Sequence, residues 1–241
     1  MHAKPDLRVV LKCMIAGSGS VIADVIRLDI MSNSQPAPKD SIEEYTWLCN
    51  SLFGTYMDGI WGFNLVGKSA QDALQQETPN GKPPLMSFIP KKYDPATPTK
   101  VSDQEMAQRN VHRERADKIA DRNSLDGPNS LFLAQMTLIT VFHYWEDKYR
   151  AMIASEFGLA SKDDLKVDGV GDIRLLRISI VHHKGIAKKE IERTKRFQWF
   201  KENDHILLDF DKMLAIKNYI MNDFRDECLQ SIESSKQPVA E

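Results

Sequence analysis

Arg177 and His182, five residues apart in the segment Asp172–Lys184, are the residues of this sequence whose types and spacing could do chemistry. Arginine does not lose its proton in proteins, so it pairs with a carboxylate or a phosphate. Histidine titrates near neutral pH and can transfer a proton. Together, without metal ligands, they suit cleavage of RNA by its own 2′-hydroxyl, with the histidine handling a proton and the arginine stabilising charge on the phosphate.

The segment around them predicts a helix that begins at Gly171 or Asp172 and is stopped by Gly185. Its apolar residues fall all around the helix axis, which is typical of a helix covered on every side. We therefore expect one side to be buried in the domain and the other to meet a partner subunit. Residues 177 and 182 are about 140° apart around a straight helix. A two-fold pairing of these helices would bring Arg177 and His182 of both copies into one cleft.

The spacing Arg177-x4-His182 resembles the Arg-x4–6-His motif of the HEPN (higher eukaryotes and prokaryotes nucleotide-binding) superfamily. Its surroundings also resemble bacterial members of that family: a long apolar helix with Trp145-Glu146 and Tyr149-Arg150, and the continuation His182-His183-Lys184-Gly185-Ile186-Ala187. The resemblance covers about residues 129–233. It implies an all-helical bundle, a homodimer formed through the Asp172–Lys184 helix, and metal-independent endoribonuclease activity. Many members are toxins or phage-defence effectors, which implies an antitoxin as a further partner.

The resemblance implies that RNA is the substrate, that Arg177 and His182 are catalytic, and that neither a metal nor a cofactor takes part. Around them we expect supporting contacts to RNA from four residues: Arg174, Ser179, His183 and Lys184. The local charge agrees with an RNA partner, because residues 171–200 contain eight Lys or Arg and three acidic residues. Three aromatic side chains follow that could stack on bases: Phe197, Trp199 and Phe200.

Two other interpretations of these residues stay open. The run His182-His183-Lys184-Gly185 also fits an ordinary helix C-terminus, where cations and a left-handed glycine are favoured. Arg177 would then pair with Glu146 or Asp172. The HEPN family often has Asn directly after the arginine, where this sequence has Ile178. That departure favours the alternative of a catalytically inactive HEPN-like binding or regulatory module.

A competing motif, Gly62–Ser69, fits the P-loop pattern G-x4-G-K-[ST], and Ile206–Asp209 could pass as the matching magnesium-binding strand end. A P-loop needs a buried strand directly before it and parallel strands after it. Residues 54–61 are instead interrupted by glycine, and a proline-rich stretch follows the motif. A P-loop NTPase is therefore the third and least favoured interpretation.

Before residue 130, the sequence predicts a hairpin, a helix, a loop and a second helix. Alternation of apolar residues in 7–15 and a run rich in Val and Ile in 21–30 predict a small N-terminal β-hairpin, while a helix over 21–31 stays open as an alternative. Ser41 and Glu44 form a capping box that opens a helix. Residues 78–98 hold six of the 11 prolines, so they predict an irregular loop. A second capping box, Ser102 with Glu105, opens a charged helix that reaches Arg122.

Helices dominate the remainder. Residues 130–157 predict the most apolar helix of the chain, ended by Gly158, and 187–200 predict a basic helix. Residues 205–210 predict a short extended piece, and 212–234 a final amphipathic helix. The fold class is therefore mainly α: a HEPN-like bundle over 102–241, a Pro-rich linker over 78–101, and a hairpin with a helical segment over 1–77. One continuous domain stays open as an alternative.

The amino-acid composition limits the kinds of protein that this chain can be. The chain has 241 residues, with 42% hydrophobic and 27% charged residues and a net charge of −2, which is the balance of a globular domain. Three widely spaced cysteines form no metal-binding or disulfide pattern. The N-terminus has no apolar signal-peptide core, and residues 131–145 are too short and too polar to span a bilayer. These features predict a cytoplasmic protein without a membrane segment.

Overall fold

The structure is a computed structural model that describes residues 38–76, 81–88 and 112–236. It is mainly helical, with one small two-stranded antiparallel sheet. The predicted fold class, mainly α, is confirmed. The predicted N-terminal hairpin over residues 7–30 lies outside the described residues.

The helices differ widely in length: α1 (Ser41–Leu74), α2 (Ala116–Arg122), α3 (Pro128–Tyr144), α4 (Arg150–Glu156), α5 (Asp168–His182), α6 (Phe210–Asn222) and α7 (Phe224–Lys236). A π-helical turn, Trp145–Tyr149, joins α3 to α4 without a break. Two 3-10 turns occupy Lys162–Asp164 and Lys189–Arg193. The sheet pairs β1 (Leu85–Phe88) with β2 (His112–Arg115).

The described residues divide into two compact units. The first takes its residues from Met1–Gly54, Leu138–Ile206 and Leu214–Glu241. Its core contains an aromatic cluster around Tyr45, whose ring centroid lies 5.6 Å from that of Trp145, 5.3 Å from Tyr149 and 5.1 Å from Phe224. Tilted aromatic pairs at such distances are favourable beyond the area that they bury. This cluster fixes the π-helical turn, which carries part of the candidate site.

The second unit takes its residues from Thr55–Thr137 and Leu207–Met213. A small core there joins Ala70 of α1 to Ala116, Ile119 and Ala120 of α2. Small side chains allow the two helices to approach closely. At Gly67 a Cβ atom would stand 2.9 Å from the carbonyl oxygen of Asn123, so only glycine fits.

Helix α1 begins where the sequence predicted a helix, but a different residue caps it. Asp40 Oδ1 accepts a hydrogen bond from the backbone N–H of Glu43 at 2.9 Å, and Glu43 Oε2 accepts one from the N–H of Lys39 at 2.7 Å. Asp40 therefore caps the N-terminus of α1, the role that the sequence predicted for Ser41. The backbone N–H of Ser41 donates instead to Glu156 at 2.9 Å.

The P-loop interpretation is wrong. Gly62–Ser69 lies inside α1, which continues through Gly54, Gly59 and Gly62 to Leu74. Interior helical amides already donate to carbonyl groups one turn earlier, so they cannot surround a phosphate. Residues 206–209 are not a strand either, since they form an irregular segment that leads into α6.

Two predictions around the proline-rich region were also wrong. Residues 85–88, inside the stretch predicted to be an irregular loop, form β1, because this tetrapeptide contains no proline and its backbone can pair with residues 112–115. Residues 112–115, predicted to be helical, form β2. Leu85 pairs with Arg115 and Phe88 pairs with His112. This long-range pairing outweighs the local helical tendency of the charged segment.

The predicted basic helix over residues 187–200 is irregular apart from the 3-10 turn Lys189–Arg193. The buried carboxylate of Asp172 explains this. It accepts hydrogen bonds from the backbone N–H groups of Lys195, Arg196 and Phe197, at 3.0, 2.7 and 2.8 Å. Consecutive amides that converge on one carboxylate cannot also form a helical ladder.

The predicted final helix over residues 212–234 is interrupted. Helix α6 ends at Asn222, and α7 begins at Phe224. The predicted end of the apolar helix is confirmed, because α4 is followed by Gly158 with φ of 74°, a left-handed conformation that glycine tolerates best.

Candidate functional site

Helix α5 carries most of the residues singled out by the sequence. It begins at Asp168, earlier than predicted, because the carboxylate of Glu227 accepts the N–H groups of Asp168 and Gly169, at 2.6 and 3.2 Å. An anion at a helix N-terminus satisfies free donors and interacts favourably with the helix dipole. The helix ends at His182, and Gly185 follows with φ of 76°, as its predicted role as the stop requires.

The apolar side chains of α5 are not all covered within this chain. Ile173 and Leu176 are fully buried. Ile178 is half-buried, and the side chain of Val181 is 46% exposed. The chain therefore covers one side of the helix, and the side that carries Val181 and His182 faces outward.

A cavity of about 490 Å³ lies against α5, within the first unit. Four charged residues line it: Glu146, Arg150, Arg174 and Arg177. Its apolar lining is formed by Phe142, Trp145, Leu165, Val167 and Val170. The volume falls in the range of small-molecule sites, about 300–1,000 Å³. Glu146 and Trp145 belong to the π-helical turn, a feature often found at functional sites.

Arg150 is fixed at the wall of this cavity. Its Nη1 lies 3.2 Å from a carboxylate oxygen of Glu146 and 3.2 Å from one of Asp163, and its Nη2 donates to the carbonyl of Leu165 at 3.4 Å. Lys162 adds a second cation to Glu146, with a 2.7 Å hydrogen bond. The carboxylate of Glu146 is therefore shared by two cations.

The pKa of Glu146 reflects that arrangement. Burial raises it, but the hydrogen bond from Lys162 and the nearby positive charges of Arg150 and Lys162 outweigh burial and hold the pKa below its ordinary value. Glu146 is thus ionised at neutral pH, and its charge is already compensated. The two remaining arginines leave the lining of the cavity with an excess of positive charge.

Arg177 does not make the carboxylate contact that a purely structural role would require. Its Nε is buried and has no hydrogen-bond partner among the described residues. Its guanidinium carbon lies 5.6 Å from the ring centroid of Phe142. The two expected acceptors are engaged elsewhere: Glu146 with Arg150 and Lys162, and Asp172 with backbone amides. An anionic partner for Arg177 would therefore have to come from outside the described chain.

The structure brings Arg174 and Arg177 together at the cavity, but it leaves His182 outside its lining. His182 is exposed at the C-terminal end of α5. Both predicted catalytic residues therefore lie on one helix, as expected, without sharing a site within a single chain.

The other residues predicted to contact RNA have varied surroundings. Ser179 is buried, and its hydroxyl donates to the carbonyl of Leu175 at 3.1 Å, within α5. The N–H of His183 donates to the carbonyl of Ser179 at 3.2 Å and closes the helix. Lys184 is exposed, with a left-handed φ of 55°. None of these three residues lines the cavity.

The basic segment after α5 is partly neutralised within the first unit. Lys195 lies 2.8 Å from Asp168, and Arg196 lies 2.7 Å from Asp223. Of the aromatic residues expected to stack on bases, Phe197 is buried against Tyr219, with ring centroids 5.6 Å apart. Stacking by Phe197 is therefore excluded by its place in the core.

Sequence reasoning missed Glu146 and Arg150 as members of the site. A signal was present, because charged residues spaced four apart in the most apolar helix of the chain need partners. The positions of Lys162 and Asp163, which complete the charged group, depend on how the following loop folds back onto that helix. No local pattern predicts that contact.

Among the residues that the structure describes, no group of three or more His, Cys, Asp or Glu side chains could hold a metal ion. In the same part of the chain, no helix has both the length and the apolar character needed to cross a bilayer. Comparisons with protein-family models, with curated proteins and with solved structures give no match to this chain.

Proposed function

We propose that this chain is a metal-independent endoribonuclease of the HEPN type and that it acts as a homodimer. The observation that supports the proposal most strongly is Arg177, which lines a cavity with excess positive charge and whose buried Nε has no hydrogen-bond partner among the described residues. A buried donor without a partner costs about 1–3 kcal/mol, and more when the group is charged. A phosphate of the substrate would supply the missing acceptor.

The reaction that suits these residues uses the 2′-hydroxyl of RNA as its nucleophile. The 2′-oxygen attacks the adjacent phosphorus and the bond to the 5′-oxygen breaks, which yields a 2′,3′-cyclic phosphate and a free 5′-hydroxyl. His182 takes the proton from the 2′-hydroxyl or gives one to the leaving 5′-oxygen. Arg177 stabilises the negative charge that develops on the phosphoryl oxygens. Since the nucleophile belongs to the substrate, the step does not require a metal-bound water.

A second copy of the chain supplies the geometry that one copy lacks. His182 lies outside the cavity lining, and Val181 and the half-buried Ile178 face outward beside it. Two α5 helices packed about a two-fold axis would cover these apolar side chains. The same packing would place His182 of one copy beside Arg177 of the other.

The activity is tested by incubating the purified full chain with mixed-sequence single-stranded RNA in the presence of EDTA. We expect products with 2′,3′-cyclic phosphate ends, and a loss of at least about 100-fold in Arg177→Ala and in His182→Ala. His143→Ala is the matched control, because His143 is also an exposed helical histidine but belongs to α3 and not to α5. RNA binding without any cleavage by the native chain would contradict the proposal and favour a non-catalytic module.

The shared site is tested by mixing the two inactive variants. If Arg177 and His182 act across the two-fold axis, a dimer of one Arg177→Ala copy and one His182→Ala copy retains one complete Arg–His pair. We therefore expect the mixture to regain activity that neither variant has alone. Cleavage by a native chain that stays monomeric at assay concentration would rule out the shared site.

A further inference from the structure

Two guanidinium groups of α5 face the same cavity without a protein acceptor. Arg174 and Arg177 are three residues apart and line it together. Neither forms an ion pair within the described parts of the chain, and Glu146, the acid in the lining, is held by Arg150 and Lys162. Arg174 and Arg177 can therefore bind an added anion without first breaking an ion pair.

Arg150, the first residue of α4, provides a third guanidinium to the lining of the cavity. Contacts to Glu146, Asp163 and Leu165 fix its position. A donor that is held in place loses little conformational freedom when a ligand binds. Arg150 and Arg174 thus approach the cavity from two different elements, which suits a phosphate contacted from two sides.

The cavity is larger than a phosphate needs, and much of its wall is apolar. Its volume is about 490 Å³, and Leu165, Val167 and Val170 form part of its lining. A bare anion would contact the charged part of this wall and leave the apolar part of the cavity unfilled. A ligand with both a phosphate and a flat, weakly polar ring system would fill both parts of the site, and a nucleotide has that composition.

We propose that this cavity is a nucleotide subsite that takes one unstacked nucleotide of a single-stranded RNA, next to the cleaved bond. The phosphate of that nucleotide lies between Arg150 and Arg174, and its base lies against Leu165, Val167 and Val170. His182 is outside the cavity lining, so the bound phosphate is a neighbour of the reacting one. The subsite rests on the proposed RNA substrate, but its test needs no cleavage.

Gly171 offers a way to fill the cavity without changing its charge. It lines the cavity, and a Cβ atom added there would meet no other atom within 4 Å. Leucine also favours a helix more than glycine does, so Gly171→Leu should fold. The variant places a bulky side chain where the base would lie, while Arg150, Arg174 and Arg177 all remain.

The experiment measures, by fluorescence anisotropy, the binding of a short single-stranded RNA that is made uncleavable by 2′-O-methyl groups on all of its sugars. We expect Gly171→Leu and Arg174→Met each to raise Kd about tenfold, as the loss of one good contact does. Arg193→Met is the matched control, because Arg193 is also exposed but does not line the cavity. Its effect should be less than about threefold.

The phosphate is located by replacing the RNA phosphates one at a time with uncharged methylphosphonates. At one position of the RNA, the replacement should weaken binding to the native chain but should not weaken binding to Arg174→Met any further. Arg150→Lys keeps the positive charge but loses the planar guanidinium. The methylphosphonate at that same position should likewise not weaken binding to this variant any further. Uniform effects along the RNA would mean general attraction to the backbone and would overturn the subsite.

Competition experiments distinguish binding of a nucleotide from binding of phosphate alone. We expect a nucleoside 3′-monophosphate to displace the RNA at a lower concentration than inorganic phosphate does, and Gly171→Leu to remove that difference. Equal competition by both compounds would overturn the nucleotide subsite. If the chain binds the uncleavable RNA in this way but never cleaves RNA, the ribonuclease proposal fails while the subsite stands.

Discussion

The guanidinium carbon of Arg177 lies 5.6 Å from the ring centroid of Phe142, while Arg177 Nε has no hydrogen-bond partner among the described residues. The ring face attracts the cation, but it offers no lone pair to an N–H donor. Arg177 is therefore held in position without being satisfied. Within the described part of the chain, no acceptor offsets the cost of burying this donor.

Arg177→Met should raise the free energy of unfolding by about 1 kcal/mol in phosphate-free buffer, because methionine keeps the contact with Phe142 and removes the unpaired donor. Urea unfolding measures this difference. Added inorganic phosphate should stabilise the native chain more than the variant. A variant less stable than the native chain by more than about 1 kcal/mol would show that Arg177 has a structural partner.

Arg150→Met is the matched comparison. Arg150 lines the same cavity, but Glu146, Asp163 and the carbonyl of Leu165 all accept from it or pair with it. Its removal should lower the free energy of unfolding by about 1–2 kcal/mol, discounted for the partial exposure of these groups. The two arginine variants are thus expected to change stability in opposite directions.

Asp172→Asn should lower the free energy of unfolding by about 2–4 kcal/mol. The buried carboxylate accepts the N–H groups of Lys195, Arg196 and Phe197, and an amide would turn an NH₂ donor toward some of these donors. Asp211→Asn, at an exposed position in the first turn of α6, is the control. Equal effects of the two substitutions in urea unfolding would show that the backbone does not depend on Asp172.

Two glycines of the P-loop-like stretch should respond oppositely to alanine. At Gly62 a Cβ atom would meet nothing within 4 Å, so Gly62→Ala should stabilise α1 by up to about 1 kcal/mol. At Gly67 it would stand 2.9 Å from the backbone oxygen of Asn123, so Gly67→Ala should destabilise the chain by about 1–3 kcal/mol. Thermal unfolding with circular dichroism measures both. Loss of stability in Gly62→Ala would argue against a continuous helix there.

The Asp40–Arg225 pair should contribute to stability at neutral pH but not in strong acid. The hydrogen bond from Arg225 holds the pKa of Asp40 below its ordinary value despite partial burial. A carboxyl whose pKa is lowered by folding contributes stability above its unfolded value, about 3.9, and loses it as the pH falls through its folded value.

Asp40→Asn should therefore lower the free energy of unfolding by about 1–2 kcal/mol at pH 7, partly through the weakened cap of α1. The difference from the native chain should shrink as the pH falls below about 4. Urea unfolding between pH 7 and pH 2 measures it, with Asp58→Asn as an exposed control on the same helix. A difference that stays constant across this range would mean that the pair is not linked to the protonation of Asp40.

The sequence by itself determined the mainly helical class, the long apolar helical run, and the helix stops at Gly158 and Gly185. These features follow from hydrophobic periodicity and from the conformational preference of glycine, which act between residues close in the chain. The sequence also placed Arg177 and His182 on one helix. Local patterns were enough for each of these conclusions.

Only the tertiary structure decided which partners the charged side chains have. The sharing of Glu146 between Arg150 and Lys162, and the convergence of backbone amides on Asp172, join elements that are separate in the sequence. The pairing of β1 with β2 likewise overrode the local preference of residues 112–115. Contacts between distant residues depend on how the whole chain packs, so no local pattern predicts the cavity or the absence of an acceptor for Arg177 Nε among the described residues.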